Sequence, residues 1–326
     1  MITPADASLH TPAGRDWAET NFWSFQIPEE NLNGAVYALI RAQHGIALSS
    51  VHVNTRRTRM HWEAEYGDMQ MHLPLPENFD LLDYELPNGL SVKVLDPNQR
   101  WRVDYVDEFG PEIHFEFRAL MPPYDIHDAD LDPMVAAQTT AGEYSWGTAY
   151  NGHFDMSGIY EGEIVLPQRR LEFRSVGTMD HSWGARPEKH RTTLSWLNAH
   201  FGEDFVVHAL FDFDAGTGGT ELRFTHGYVL EGGKLHGLAG GQGTTRRVDW
   251  YPEEITLELY DAAGGCWNLH GEAQTTFPWL MWPDVVGFNC LTRWDCAGRV
   301  GHGEAYDVIG LWDLTAGGRG WAGASA

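Results

Sequence analysis

The chain has 326 residues, 46 acidic side chains against 22 basic ones, and a formal net charge of −24. With 43% apolar residues and 14 Trp it is too hydrophobic to be a disordered chain, and no Gly-X-Y period or heptad repeat marks a fibrous one. Its basic clusters are short (Arg56-Arg57-Thr58-Arg59, Arg169-Arg170, Arg246-Arg247), which excludes the extended Lys/Arg surface that a nucleic acid or an anionic membrane requires.

The N-terminal MITPADASLHTPAGRDW has no apolar core, so no signal peptide is expected. No apolar run approaches the roughly 18 residues of an integral membrane segment. Glu29 to Ile40 admits a helix, but Gly34 interrupts it and the neighbouring pattern favours a strand from Ala35 to Arg41. Val51 to Tyr66 (VHVNTRRTRMHWEAEY) alternates apolar and polar residues. MQMHLPL, LSVKVLD, WRVDYVD and EIHFEFRAL follow between residues 69 and 120, bounded by Pro, Gly, Asn or Asp. Asp96-Pro97-Asn98 marks a turn.

Residues 121–147 shift to Pro, Asp and Tyr and read as a connection or lid. Within them Asp132 and Pro133 have the form of an N-cap and first helical residue. Strand-like runs return after residue 150: GIYEGEIVL, RLEFRSVG, TTLSWLNAHF, DFVVHALFDFD and ELRFTHGYVL. KLHGLAG, RRVDWY, EITLELYD, CWNLHGEAQ and NCLTRWDCAG complete the series. Glu231-Gly232-Gly233-Lys234 is a hairpin signal. The Gly-rich stretches 216–219 and 237–243 match no phosphate-binding motif and read as loops. Phe277-Pro278-Trp279-Leu280-Met281-Trp282-Pro283 carries two prolines and reads as an apolar loop at a pocket mouth or interface. The tail from Thr315 is expected to fray. Period-two alternation predicts sheets with one buried face, and two strand-rich halves predict an all-β protein of two sandwiches or barrels.

Cys266, Cys290 and Cys296 form neither a disulfide framework nor a zinc spacing, and predict reduced thiols in a cytoplasmic protein. There are 16 His, yet no His-Glu-x-x-His, so no metal is expected. His153 and Asp155, two apart, share one face of a strand. Residues 177–187 concentrate reactive groups. If extended, Asp180 and Ser182 face one side while His181 and Trp183 face the other; a bend at Gly184 would gather Asp180, Trp183 and Arg186. The structural alternative is an Asp180–Arg186 salt bridge with Trp183 as a core plug. Trp146, Tyr150, Trp196, Trp279 and Trp282 either line an apolar cavity or are plain core.

Gly177-x-Met179-Asp180-His181-Ser182-Trp183-Gly184-x-Arg186 resembles the G-x-R-D-H-S-W-G-x-R signature of a bacterial domain family related to carotenoid hydratase (CrtC) and AttH-like proteins. Met179 stands in place of the usual Arg. His153-Phe154-Asp155-Met156-x-Gly158 is similar to the block before that motif. Gly301-His302-Gly303-Glu304 is similar to the family's terminal Gly-x-Gly-Glu, and Trp17-Ala18-Glu19-x-Asn21-Phe22 to its opening.

The resemblance implies two consecutive lipocalin-like (calycin) β-barrel or sandwich domains, here residues 1–188, ending in the Asp-His-Ser-Trp-Gly segment, and 189–326. It implies a cofactor-free hydro-lyase (hydratase or dehydratase) or isomerase acting on a C=C bond of a hydrophobic, terpenoid or related substrate. A non-catalytic lipocalin-like binding protein and a pericyclic cyclase are the alternatives. Asp180 occupies the position of the hydratases' proposed proton donor. Trp183 is then the candidate to stabilise a carbocation, and His153, His181 and Glu304 are candidates to orient water or take the proton back. Asp155 and Arg186, with Trp146, Tyr150, Trp196 and Trp282, are the candidates for substrate contact. The expected partner is a hydrophobic small molecule, and a homodimer is compatible with the sequence.

Overall fold

The computed structural model describes residues 1–135, 150–186 and 193–315. Among these the regular structure is almost entirely β, in two units. The first holds Met1–Val53, Glu65–Asp125 and residues 150–186; the second holds Asn54–Ala64 and residues 126–135 and 193–315.

The first unit is one sheet that curls as a half-barrel. Its strands are β1 (Trp17–Ile27), β2 (Leu32–Arg41), β3 (Ile46–Asn54), β4 (Tyr66–Pro74), β5 (Asp83–Glu85), β6 (Leu90–Asp96), β7 (Arg100–Val106), β8 (Glu112–Ala119), β9 (Tyr124–Asp125), β10 (Gly152–Leu166) and β11 (Arg169–Ala185). They lie in the order β4-β3-β2-β1-β11-β10-β8-β7-β6-β5, with β9 also paired to β10. Chain neighbours pair through tight turns whose left-handed residues are Asn31, Gly45 and Asn98. Strand β8 alternates in burial, whereas β1 is buried along its whole length. The core includes Trp23, Phe25, Val36, Met156, Tyr160 and Met179.

The second unit contains β12 (Thr193–His200), β13 (Phe205–Asp212), β14 (Glu221–Glu231), β15 (Lys234–Val248), β16 (Tyr251–Asp261), β17 (Cys266–Ala273), β18 (Phe277–Trp282), β19 (Val285–Cys296) and β20 (Arg299–Gly310). The order runs β17-β16-β15-β14-β13-β12-β20-β19, and β17 also pairs with β19. That last pairing closes an eight-stranded barrel, which removes its edges. Gly232 and Gly233 take φ of 58° and 76° in the β14–β15 turn, the twist that a two-residue hairpin needs.

The all-β class is as expected, and Ala35 to Arg41 is strand. Four local readings change. Residues 55–65 leave the sheet after β3: Arg57 Nη1 donates to Glu253 Oε1 at 2.6 Å, Arg59 pairs with Asp249 at 2.6 Å, and the Thr58 amide bonds the Thr276 carbonyl. Residues 237–243 are the middle of β15, where a Cβ on Gly237 would stand 2.0 Å from the Leu131 carbonyl oxygen and one on Gly240 would meet Tyr260 at 2.4 Å. Phe277 to Trp282 is a strand, tolerated because β18 ends the sheet order and Pro278 owes no donor to an outer neighbour. Strands β1 and β20 have no counterpart among the runs read from the sequence, although β1 carries a short alternation from Trp23 to Ile27. Met134 N donates to Asp132 Oδ1 at 2.8 Å, as an N-cap would; the helix expected after it, most of the lid and the tail lie outside the described residues.

The motif glycine Gly177 has a packing reason. A Cβ there would lie 2.3 Å from the Ser24 carbonyl oxygen and 2.7 Å from the Tyr160 ring, whose hydroxyl donates to the Thr178 carbonyl at 2.7 Å. Backbone oxygen cannot yield as a side-chain tip can. Gly177→Ala is therefore expected to destabilise the protein by about 3 kcal/mol in chemical denaturation.

Candidate active site

Strands β10 and β11 place Asp155 opposite Asp180, and β1 places Phe22 opposite Asp180 from the other side. Directly paired residues project to the same face of a sheet. Asp155, Asp180 and Phe22 therefore share one face. Tyr37, opposite Phe22 on β2, joins them, as do His153, Ser182 and Thr20 one step along.

Several contacts fix this face. His153 Nε2 lies 2.8 Å from Asp155 Oδ2, both side chains being buried. The Tyr150 ring stacks on His153 with centroids 4.4 Å apart, and the Arg186 guanidinium carbon lies 5.8 Å from the Tyr150 ring centre. Arg186 is anchored at both ends: its Nη2 donates to Ser182 Oγ at 2.6 Å and its amide donates to the Asp16 carbonyl at 2.7 Å. The Ser182 and Thr20 hydroxyls are 2.7 Å apart.

Asp180 differs from its neighbours. Its carboxyl makes no hydrogen bond with any described residue. It keeps partial solvent-accessible surface although it lies at interior depth. An accessible atom at that depth borders a space of at least water size. Burial pushes the carboxyl pKa up, to about 7; the His153 and Arg186 charges oppose the rise and the Asp155 carboxylate adds to it. A large fraction of Asp180 is then protonated near neutral pH. Burial alone would lower the His153 pKa, but the adjoining Asp155 carboxylate overrides it and the net direction is upward. The face thus sets a carboxyl whose pKa is raised by burial beside a second carboxyl that is hydrogen-bonded to an imidazole, an arrangement that separates neighbouring acid–base groups as acid catalysis requires.

Asp180, His153, Asp155, Tyr150 and Arg186 are brought together. His181 and Trp183 are not, because alternation along β11 turns them to the inner face. There the Trp183 ring stacks on His10 at 3.8 Å between centroids. Burial pushes the His181 imidazole down to about 3, so it is neutral. β11 continues through Gly184 to Ala185, and the bend expected at Gly184 does not occur. The rings on the Asp180 side are Tyr150, Phe22 and Tyr37. The sequence reading did not place Phe22 or Tyr37 beside Asp180, because only the β1–β11 and β1–β2 pairings reveal that neighbourhood.

The remaining candidates belong to the second unit. Glu304 accepts from Asn289 Nδ2 at 2.6 Å, Trp196 meets His208 edge-on at 5.3 Å, and Trp279 stacks on Tyr306 at 5.4 Å. Trp282, half-buried, ends β18. A Cβ on Gly303 would lie 2.1 Å from the Asn198 carbonyl oxygen, so the terminal Gly-x-Gly-Glu block is shaped by close backbone approach. Trp146 lies outside the described residues. Two surface clefts of about 620 and 700 Å³ on the first unit, one lined by Arg102, Glu116 and Arg174 and the other by Phe79 and Tyr84, do not include Asp180.

Three solved structures share the fold. Kievitone hydratase from Nectria haematococca superposes with a TM-score of 0.53 at 10% identity, over 90% of this chain and 88% of that one. An AttH-like protein from Nitrosomonas europaea gives 0.57 at 13% identity, over 90% and 92%. CghA gives 0.58 at 10% identity, over 91% and 89%. At these identities the likeness establishes the two-domain lipocalin-like fold. No curated protein matches the sequence significantly. Residues 3–305 match the model of a domain of unknown function, DUF7064, and the chain belongs to that family.

Proposed function

We propose that the Asp180 face is the catalytic centre of a cofactor-free enzyme that adds water to, or removes it from, a C=C bond of a hydrophobic, terpenoid-like substrate. The observation that carries this reading is the Asp180 carboxyl itself. It has no hydrogen-bond partner among the described residues, it borders an accessible space, and it stands opposite a second carboxylate already engaged by His153. The family likeness read from the Asp-His-Ser-Trp-Gly segment and the shared fold with a hydratase support it.

In the proposed reaction the Asp180 carboxylic acid gives its proton to one alkene carbon, and the resulting cation faces the Tyr150 ring. Attraction of a cation to an aromatic face is worth about 2 kcal/mol when desolvated. Water adds to the cation, oriented by the Asp155-held His153, and its surplus proton returns to the Asp180 carboxylate. The acid is regenerated and no redox step occurs. Run backwards, the same steps dehydrate an alcohol.

The test is incubation of the purified protein with a panel of isoprenoid and prenylated aromatic alkenes in oxygen-18 water, read by mass spectrometry. Hydration appears as a product heavier by one labelled water, with no added cofactor. Products of unchanged mass would indicate isomerisation or cyclisation, and bound but unaltered ligand would indicate a binding protein; either outcome overturns the hydro-lyase reading.

A further inference from the structure

On the inner face of the first unit, opposite the Asp180 face, a second cluster has no part in the proposed reaction. It consists of His10 from the segment before β1, Glu19 from β1 and His181 from β11. One ligand atom from each lies within 4.8 Å of the others. We infer that these three side chains form a binding site for a divalent transition-metal ion of the zinc class.

The protonation pattern is the first argument. His181 Nδ1 is 2.9 Å from the Thr20 carbonyl oxygen, which can only accept. The ring therefore carries its proton on Nδ1, and Nε2 presents a lone pair. That Nε2 is buried and has no hydrogen-bond partner. It points toward Glu19 Oε2 at 3.8 Å, beyond hydrogen-bond range and without a proton to share. A buried acceptor left unmet costs about 1–3 kcal/mol, and a cation between these atoms satisfies it.

The second argument is the donor set. His10 Nδ1 lies 3.1 Å from the same Glu19 Oε2. Two imidazole nitrogens and one carboxylate oxygen suit zinc and its neighbours rather than Mg²⁺ or Ca²⁺, which take oxygen ligands. With metal–ligand bonds of roughly 2.0–2.2 Å, ligand atoms of a tetrahedral ion stand about 3.3 Å apart. The observed 3.1 and 3.8 Å bracket that value.

The third argument is the outer shell. His10 Nε2 meets Asp6 Oδ1 at 3.3 Å, a carboxylate–histidine arrangement, and His181 Nδ1 is held by the Thr20 carbonyl. Glu19 Oε1 accepts from the His10 amide at 2.7 Å and from the Trp17 indole at 3.5 Å, so Oε2 is the oxygen turned to the imidazoles. The stack of His10 on Trp183 holds the ring of the one ligand that lies outside a strand. Three protein ligands leave a fourth position for water.

The test uses the full-length protein, stripped with chelator and titrated with Zn²⁺ by calorimetry and with Co²⁺ by visible absorption. The expected result is one equivalent bound per chain, a tetrahedral Co²⁺ spectrum and a raised thermal midpoint. His10→Gln and Glu19→Gln, which keep hydrogen-bonding capacity, should each weaken binding at least 100-fold. Asp6→Asn should weaken it about 10-fold. His153→Gln, on the opposite face, should leave it unchanged. A loss of binding in His153→Gln with wild-type binding in His10→Gln and Glu19→Gln would overturn the assignment, as would an octahedral Co²⁺ spectrum or no saturable binding. The readouts do not depend on turnover, so this site and the proposed hydro-lyase activity stand or fall separately.

Discussion

Asp180→Asn is expected to lower turnover by about 10²- to 10⁴-fold, the usual contribution of a positioned general acid. The amide has nearly the same shape but no acidic proton to give to carbon. Because the Asp180 carboxyl makes no hydrogen bond with a described residue and its ionised form is opposed chiefly by burial, the substitution removes no hydrogen bond and relieves the cost of burying a charge. The thermal midpoint should therefore stay the same or rise while activity falls. That opposition is diagnostic: a residue kept for structure loses stability when replaced, and a residue held under strain for function gains it. Wild-type turnover in Asp180→Asn would sink the acid assignment. Steady-state rates with any substrate found in the labelled-water panel, measured beside a melting curve, decide it.

Arg247→Met is expected to destabilise the second unit by about 3–5 kcal/mol. Arg247 and Asp307 are almost wholly buried, with side-chain exposures of 1% and 0%, and Arg247 Nε lies 2.6 Å from Asp307 Oδ2. Ser195 Oγ donates to the other carboxylate oxygen, and the guanidinium also donates to the Gly219 carbonyl. The Arg247 Cζ lies 4.1 Å from the centre of the Phe213 ring. Ser195 and Asp307 point to the same side of their strands as Leu197, Ala305 and Ile309 of the barrel core. Met would fill much of the volume but leave the carboxylate with one neutral donor in an apolar interior, and an unpaired buried charge is the expensive case. The double variant Arg247→Met, Asp307→Leu should recover most of the loss, since a buried ion pair and a packed apolar pair are often near parity. Denaturant midpoints of the single and double variants check both statements. Equal losses in both would show that Arg247 acts through packing alone.

Much of this architecture was legible in residue order. Alternation at period two marks β6, β7 and β8 because each has one buried and one exposed face, and that asymmetry is what the eye reads. The Gly232-Gly233 hairpin was legible because only glycine takes two successive left-handed conformations without strain. The same period applied to Asp180-His181-Ser182-Trp183 already separates the acid from the indole. The expectation that Trp183 would face a cation beside Asp180 needed a bend at Gly184 that the strand does not make. Strand β1 was not singled out as a strand, because its apolar/polar alternation is confined to residues 23–27 and the polar Glu19, Thr20 and Asn21 before it are buried as well. The phrase His10…Glu19…His181 has no recognisable spacing, because its members come from a loop and two strands that meet only through the β1–β11 register.

What the sequence determined by itself is therefore local: β character from side-chain period, and turn positions from glycine and asparagine geometry. What the tertiary structure decided is every juxtaposition across strands. It set Asp155 and Phe22 against Asp180, put Tyr150 and His153 beside it, closed the second sheet through β17 and β19, and turned His181 away toward Glu19 and His10. The physical reason is that a strand's own period fixes which residues share a face, whereas strand order and register depend on pairing energies summed over residues far apart in the chain.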